Sequence, residues 1–153
     1  MRIVDAGSET EIARVRELFE EYWGEYGFAP CFQGFADEVA ALPGKYVPPG
    51  GALGLLLAGD AAAGCVALRR LDETRGEFKR LYVRPTYRGK GAGRVLLDWV
   101  IARARQAGYL ELVADTMPQM ASALAMYERE GLERTAPYTE NPTPGAIYLR
   151  RKL

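Results

Sequence analysis

The chain has 153 residues, 20 Lys and Arg against 20 Asp and Glu, 48% apolar residues and 26% charged ones. This is one ordinary domain, long enough to bury a core without staples, and its neutral balance argues against disorder and against a general nucleic-acid binder. There is no histidine, and Cys31 and Cys65 lack any metal-ligand spacing, which excludes Ser-His-Asp and Cys-His triads, His-ligated zinc and a disulfide scaffold.

The opening MRIVDAGSETEIARV has no apolar core of a signal peptide. No apolar run reaches the roughly 20 residues of a membrane span. The expectation is a cytoplasmic protein with no membrane partner.

Residues 2–5 read as a first strand. Ser8 and Glu11 have the spacing of a capping box, and Ile12, Val15, Leu18, Phe19 and Tyr22 share one face of the helix that follows. It runs out near residues 24–27. An unpatterned stretch, 28–35, holds Pro30, Cys31, Phe32 and Gln33. A short helix is expected over 35–42, before Pro43-Gly44. Strands 52–58, 61–71 and 77–83 form an antiparallel meander, ended by Arg84-Pro85. A long amphipathic helix covers 91–106, with Val95, Leu96, Trp99, Val100 and Arg103 at helical spacing and Gly108 to stop it. Strand 109–114, helix 121–130 and strands 132–137 and 146–153 complete the order βαα-βββ-αβ-αββ. That order predicts a single α/β domain over 1–153, with a mixed, mostly antiparallel sheet flanked by helices.

The chemistry is most legible at Arg88-Gly89-Lys90-Gly91-Ala92-Gly93-Arg94. This loop follows a strand and opens a helix, where unpaired backbone N–H groups and the helix dipole favour an anion. Lys79, Arg80, Arg84, Arg88, Lys90 and Arg94 lie within 16 residues that contain no acid. In a neutral chain that reads as a local positive site for a small polyanion. A Walker A loop fails, because Arg84 stands where glycine is needed and Gly91 where Ser or Thr is needed. A dinucleotide fingerprint lacks its third glycine. The bland alternative is a glycine-softened turn on a solvated basic face.

Leu81-Tyr82-Val83-Arg84-Pro85 followed by Arg88 to Gly93 resembles motif A of the GCN5-related N-acetyltransferases, and Met126-Tyr127-Glu128-Arg129-Glu130-Gly131-Leu132 resembles motif B. The order of elements agrees over nearly the whole chain. Phe32 to Phe35 and Asn141 to Ala146 are similar to an uncharacterised bacterial branch of that family. The resemblance implies acetyl-CoA as co-substrate and transfer to an amine, and it allows a homodimer; no metal is expected because no ligand spacing exists, and a small-molecule amine is the expected acceptor because the neutral chain has no charged stripe outside the glycine loop.

On that resemblance, Leu81, Tyr82 and Val83 hold the pantetheine arm through their backbone, in the manner of an added β-strand. The Val83 N–H polarises the carbonyl. The N–H groups from Gly89 through Lys90, Gly91, Ala92, Gly93 and Arg94, beside Arg88, take the pyrophosphate. Tyr127 is the candidate acid for the departing thiolate, since a phenol is protonated at neutral pH; a packed helix aromatic is the alternative. The family's Asn seven residues before this Tyr is Met120 here, with Ser122 nearby to compensate in part. Glu77 is the candidate base, six residues before Val83, where period two places Glu77, Lys79, Leu81 and Val83 on one face; a solvated charge at a strand start, or removal of the proton through water, are the alternatives.

Acceptor-side candidates are Tyr22, Phe32, Gln33, Tyr138 and Asn141, with Glu25, Tyr26 and Pro142 beside them. Aromatic and amide side chains suit a small pocket with a few orienting hydrogen bonds, although they also fill cores. Cys31 and Cys65 read as small buried residues and not as nucleophiles. The expected function is acetyl transfer from acetyl-CoA to the primary amine of a small polar molecule. The alternatives are a non-catalytic acyl-CoA-binding module and a peptide or protein N-acetyltransferase.

Overall fold

The chain runs through β1 (Arg2–Asp5), α1 (Glu9–Glu25), α2 (Phe35–Ala40), β2 (Ala52–Ala58), β3 (Ala61–Arg70), β4 (Arg75–Val83), α3 (Ala92–Gln106), β5 (Glu111–Thr116), α4 (Ala121–Arg129), β6 (Glu133–Thr135) and β7 (Ile147–Lys152). Single 3₁₀ turns precede α2 and follow β4. The computed structural model describes residues 1–29, 32–141 and 143–153. The expectations placed on Pro30, Cys31 and Pro142 lie outside the described residues. No helix among the described residues is long and apolar enough to cross a membrane.

The seven strands make one sheet in the order β1-β2-β3-β4-β5-β7-β6. Among the described residues only β4 and β5 pair in parallel; the other five pairings are antiparallel. This is the expected mixed, mostly antiparallel sheet with helices on both faces. Ser8 caps α1 as its spacing indicates: the Glu11 N–H donates to Ser8 Oγ at 3.1 Å and the Ser8 N–H to Glu11 Oε1 at 3.0 Å.

The alternation of β2 splits the core. Leu53, Leu55 and Leu57 turn to α1 and α2, where they meet Val15, Leu18, Phe19, Trp23 and Phe35. Leu56 turns to α3, where Val66, Leu68, Phe78, Leu96, Leu97, Val100 and Leu112 gather. Each fully buried side chain of this size contributes about 1.5–3 kcal/mol.

Two sequence expectations change. Helix α3 buries Ala92, Leu96, Leu97, Val100, Ile101 and Ala104, while Val95 is 39% exposed. Trp99 is only half-buried because it lies along the sheet at Gly54, where a Cβ would stand 2.8 Å from its ring. Several boundaries also move: α2 stops at Ala40, and β5 runs from Glu111 to Thr116 because Tyr109 is held below the strand, its hydroxyl donating to the Gly50 carbonyl.

The second change positions the site. Cys65 pairs with Tyr82 and Ala67 with Lys79, so β4 carries one residue more than β3 between those points. The extra residue is a bulge at Arg80, in the left-handed region at φ +59°. Period two therefore breaks. Glu77, Lys79 and Tyr82 face the α1/α2 side, and Phe78, Leu81 and Val83 face α3. The four residues expected on one face are divided between two.

Candidate active site

Past Glu77 and Val113 the parallel strands β4 and β5 no longer pair. The gap opens into a cleft of about 650 Å³ between the end of β4, the start of α3 and the start of α4. The Arg84 N–H donates to Ala63 O on the β3 side at 2.9 Å. By alternation the Val83 N–H and C=O, and the backbone of Leu81, face the gap. The Val83 carbonyl accepts from Arg88 Nε at 2.9 Å, leaving its N–H available.

Helix α3 starts without a side-chain cap at Gly91, whose φ is +82°. The first helical bond there is Val95 N–H to Gly91 O at 3.1 Å. The N–H groups of Ala92, Gly93 and Arg94 have no acceptor within the helix, which is the arrangement that binds an anion. At Gly89 and Gly91 nothing stands within 4 Å of where a Cβ would be. The cradle is open, and it fits a diphosphate. Gly93 serves packing instead: its missing Cβ would meet Met126 Sδ at 3.1 Å.

The basic run is not one patch. Arg84 is bound by Glu21 at 2.7 Å and lies near Glu17. Arg88 is held bidentate by Glu25 at 2.8 Å, and Arg94 lies 3.4 Å from Glu130. Lys90 Nζ donates to Thr86 O at 3.2 Å. Lys79 and Arg80 point to the opposite face. The anion site therefore depends on backbone donors, with Arg88, Lys90 and Arg94 around them. The sequence run alone overstated its charge.

Leu81, Tyr82, Val83, Arg88, Gly89, Gly91, Ala92, Gly93 and Arg94 all line the cleft, as do Tyr22, Met120 and Ser122. Tyr127 does not line it. It is buried edge-on against Phe78, with ring centroids 5.3 Å apart. Burial pushes its phenol above the ordinary range.

Glu77 is 1% exposed. One carboxylate oxygen takes Arg69 Nε at 2.6 Å and the other takes the Tyr138 hydroxyl at 2.7 Å. It does not line the cleft, and held this way it is a positioning group for Tyr138 and not a free base.

The acceptor-side candidates divide. Gln33 bridges Arg80 and Asp115: its Oε1 accepts from Arg80 at 3.1 Å and its Nε2 donates to Asp115 at 3.3 Å. Asn141 Nδ2 donates to the same Asp115 oxygen at 3.0 Å. Tyr22 stands nearby, its hydroxyl against Met120 Sδ at 3.7 Å. These three converge. Phe32 packs on Trp23 and Phe28, and Tyr138 on Tyr148. Cys65 is fully buried, its thiol donating to Arg80 O.

Sequence reasoning missed the ion pairs that organise this side. Arg80 binds Glu38 bidentate at 2.9 and 3.0 Å and lies over the Trp23 ring at 4.6 Å. Glu38 is 42 residues away, beyond any local pattern. Asp115 follows the apolar run Leu112-Val113-Ala114 within β5, a weak local signal.

A cleft at the splay of a mixed sheet, with an uncapped glycine-rich helix start at its mouth, defines an acyl-CoA-type acyltransferase. A family model described as Acetyltransferase (GNAT) family matches residues 12–132. An uncharacterised N-acetyltransferase of Schizosaccharomyces pombe is 37% identical over 140 residues, 89% of this chain and 85% of that protein. The crystal structure of an acetyltransferase from Streptococcus agalactiae superposes with a TM-score of 0.83 at 19% identity, covering 99% of this chain and 98% of that one. A GNAT family acetyltransferase from Elizabethkingia anophelis, with acetyl-CoA bound, superposes with a TM-score of 0.59 at 26% identity, over 67% of this chain and 76% of that one. The chain belongs to the GNAT acetyltransferase family. Its activity is acetyl-CoA-dependent acetyl transfer.

Proposed function

We propose that this enzyme acetylates the primary amine of a small polar molecule in the cytoplasm. The observation that carries the acceptor class is a cavity of about 30 Å³ behind the cleft, lined by Tyr22, Gln33, Lys79, Arg80, Asp115 and Met120 among others. It shares Tyr22 and Met120 with the cleft, so it meets the end where a thioester would lie. A half-polar cavity of that size admits an amine group, with the rest of a small acceptor in the space beside it.

Acetyl-CoA supplies the activated acetyl group. The α3 N-terminus and the loop from Gly89 to Arg94 would hold its diphosphate, and the open edge of β4 its pantetheine. Val83 N–H would donate to the carbonyl oxygen, where negative charge grows. The acceptor nitrogen forms its bond to the acetyl carbon as the carbon–sulfur bond breaks. Tyr127 would give its proton to the sulfur, and the proton lost by the amine replaces it through solvent. Gln33 and Asn141 orient the acceptor wall, and Glu77 fixes Tyr138.

The test is an amine screen that follows free CoA thiol, paired with mass detection of the acetylated product. Small amines are expected to turn over and peptides not. The second reading, a non-catalytic acyl-CoA-binding module, draws on Met120 and on Tyr127 standing outside the cleft lining. CoA binding without turnover of any amine would favour it.

A further inference from the structure

The charged groups around the inner cavity do not all pair. Arg80 is satisfied by Glu38 and Gln33, and Arg69 by Glu77. Two opposite charges remain. Lys79 makes no ion pair and no side-chain hydrogen bond among the described residues, and Asp115 makes no ion pair among them. Both line the cavity of about 30 Å³. Both amide donors to Asp115 fall on Oδ2, so Oδ1 is open.

The two charges are also ordered along a path. Asp115 lines the inner cavity and not the cleft, and the inner cavity's walls Tyr22 and Met120 belong also to the cleft. Lys79 lines the inner cavity and a second, outer pocket of about 530 Å³. That outer pocket is walled by Ala41, Pro43, Gly44 and Tyr46, with Asp37 and Lys45 at its sides. From the thioester end outward the order is anion, cation, then a roomy half-apolar space.

We infer that the acceptor is a zwitterionic amino carboxylate, its amine drawn inward by Asp115, its carboxylate bound by Lys79, and its side chain in the outer pocket. This rests on the acetyl-transfer reading above. The inner cavity has room for about one or two water-sized groups, which suits an ammonium or amine and excludes a ring. Desolvation and the neighbouring Arg80 lower the pKa of Lys79, while the carboxylates of Glu77, Asp115 and Glu38 act the other way. None of them bonds to the ammonium among the described residues, so an arriving carboxylate adds a charge-assisted hydrogen bond there. Neither residue is a catalytic group; both anchor and orient.

The test uses acetyl-CoA with common amino acids, β-alanine, and the matching carboxamides and decarboxylated amines. Amino carboxylates are expected to exceed their uncharged or decarboxylated partners by about 10-fold or more in kcat/KM, the worth of one charge-assisted hydrogen bond. Lys79→Gln is expected to bring amino carboxylates down to the level of their carboxamides, read as the ratio of the two kcat/KM values in the same variant. Lys79→Glu inverts it toward diamines. Asp115→Asn weakens every amine acceptor, and titration of CoA-loaded protein with the preferred amino acid reads the same losses without turnover. Unchanged CoA affinity and melting temperature show that each variant is folded. Equal turnover of carboxamides and amino acids, or a preference that survives Lys79→Gln, overturns the inference and leaves acetyl transfer to amines standing. Failure of every amine overturns both.

Discussion

Replacing Gly91 by Asp separates the two tasks of the glycine loop. Gly91 sits at φ +82° with nothing within 4 Å of where a Cβ would stand. The substitution therefore meets no clash, and its cost is conformational: about 1–2 kcal/mol for an L-residue held in the left-handed region. The new carboxylate lies beside the N-terminus of α3, which returns about 0.3–1 kcal/mol. Stability is expected to fall by about 1 kcal/mol or less. The effect on the ligand is larger. A carboxylate about 5 Å from a diphosphate charge repels it by about 3 kcal/mol at an effective dielectric of about 20. Solvent on the open side lowers that to about 2 kcal/mol, or roughly 30-fold in affinity. Gly91→Ala carries the same backbone strain without the charge and is the proper reference. Calorimetric titration of CoA into both variants measures the difference, which shrinks as salt is raised. Gly91→Asp binding CoA as tightly as Gly91→Ala would refute a diphosphate at this helix start.

Tyr127→Phe is expected to lower kcat by about 100-fold or less while CoA affinity is kept, because the hydroxyl acts only as charge develops on sulfur; parental turnover would make Tyr127 a packing residue. Burial holds that phenol above its ordinary range, so no loss of activity from its deprotonation is expected up to about pH 10; a decline starting near pH 8 that Tyr127→Phe abolishes would contradict this. Arg80→Met strips the half-buried Glu38 of its bidentate partner and removes a buried cation from the Trp23 face. A loss of about 3 kcal/mol is expected, seen as a melting temperature lower by roughly 6–12 °C; a shift under about 2 °C would show that Glu38 finds another donor.

The glycine loop and the capping box were legible because each is contiguous: donor, acceptor and turn residues lie within a few positions. The three-stranded meander was legible for the same reason. The buried stripe of α3 was legible in part. Leu96 and Val100 are fully buried as read and Trp99 packs at Gly54, but Val95 is exposed, because the buried face is centred on Ala92, Leu96, Leu97, Val100, Ile101 and Ala104. The acceptor side was half legible. Tyr22, Gln33 and Asn141 stood out as polar or aromatic residues without a structural pattern, and they do converge. Asp115, which Gln33 and Asn141 share, and Arg80, which Gln33 also bonds, could not be paired from sequence because 82 residues separate Gln33 from Asp115 and 47 separate it from Arg80.

The bulge at Arg80 connects the donor and acceptor halves of the site. A regular β4 would turn Glu77, Lys79, Leu81 and Val83 to one side and leave the α1/α2 face with Phe78, Arg80 and Tyr82. One inserted residue at φ +59° reverses the parity within a single strand. Lys79 then reaches the cavities on the α1/α2 side, while Leu81 and Val83, two and four positions later, lie on the α3 side of a strand whose backbone borders the cleft. The left-handed Arg80 costs about 1–2 kcal/mol. Glu38, Gln33 and the Trp23 face offset that cost and hold the bulge in place. The strained residue thus sits between the cleft and the inner cavity, and the Arg80–Glu38 pair holds the wall they share on β4, where the proposed function has donor and acceptor meet.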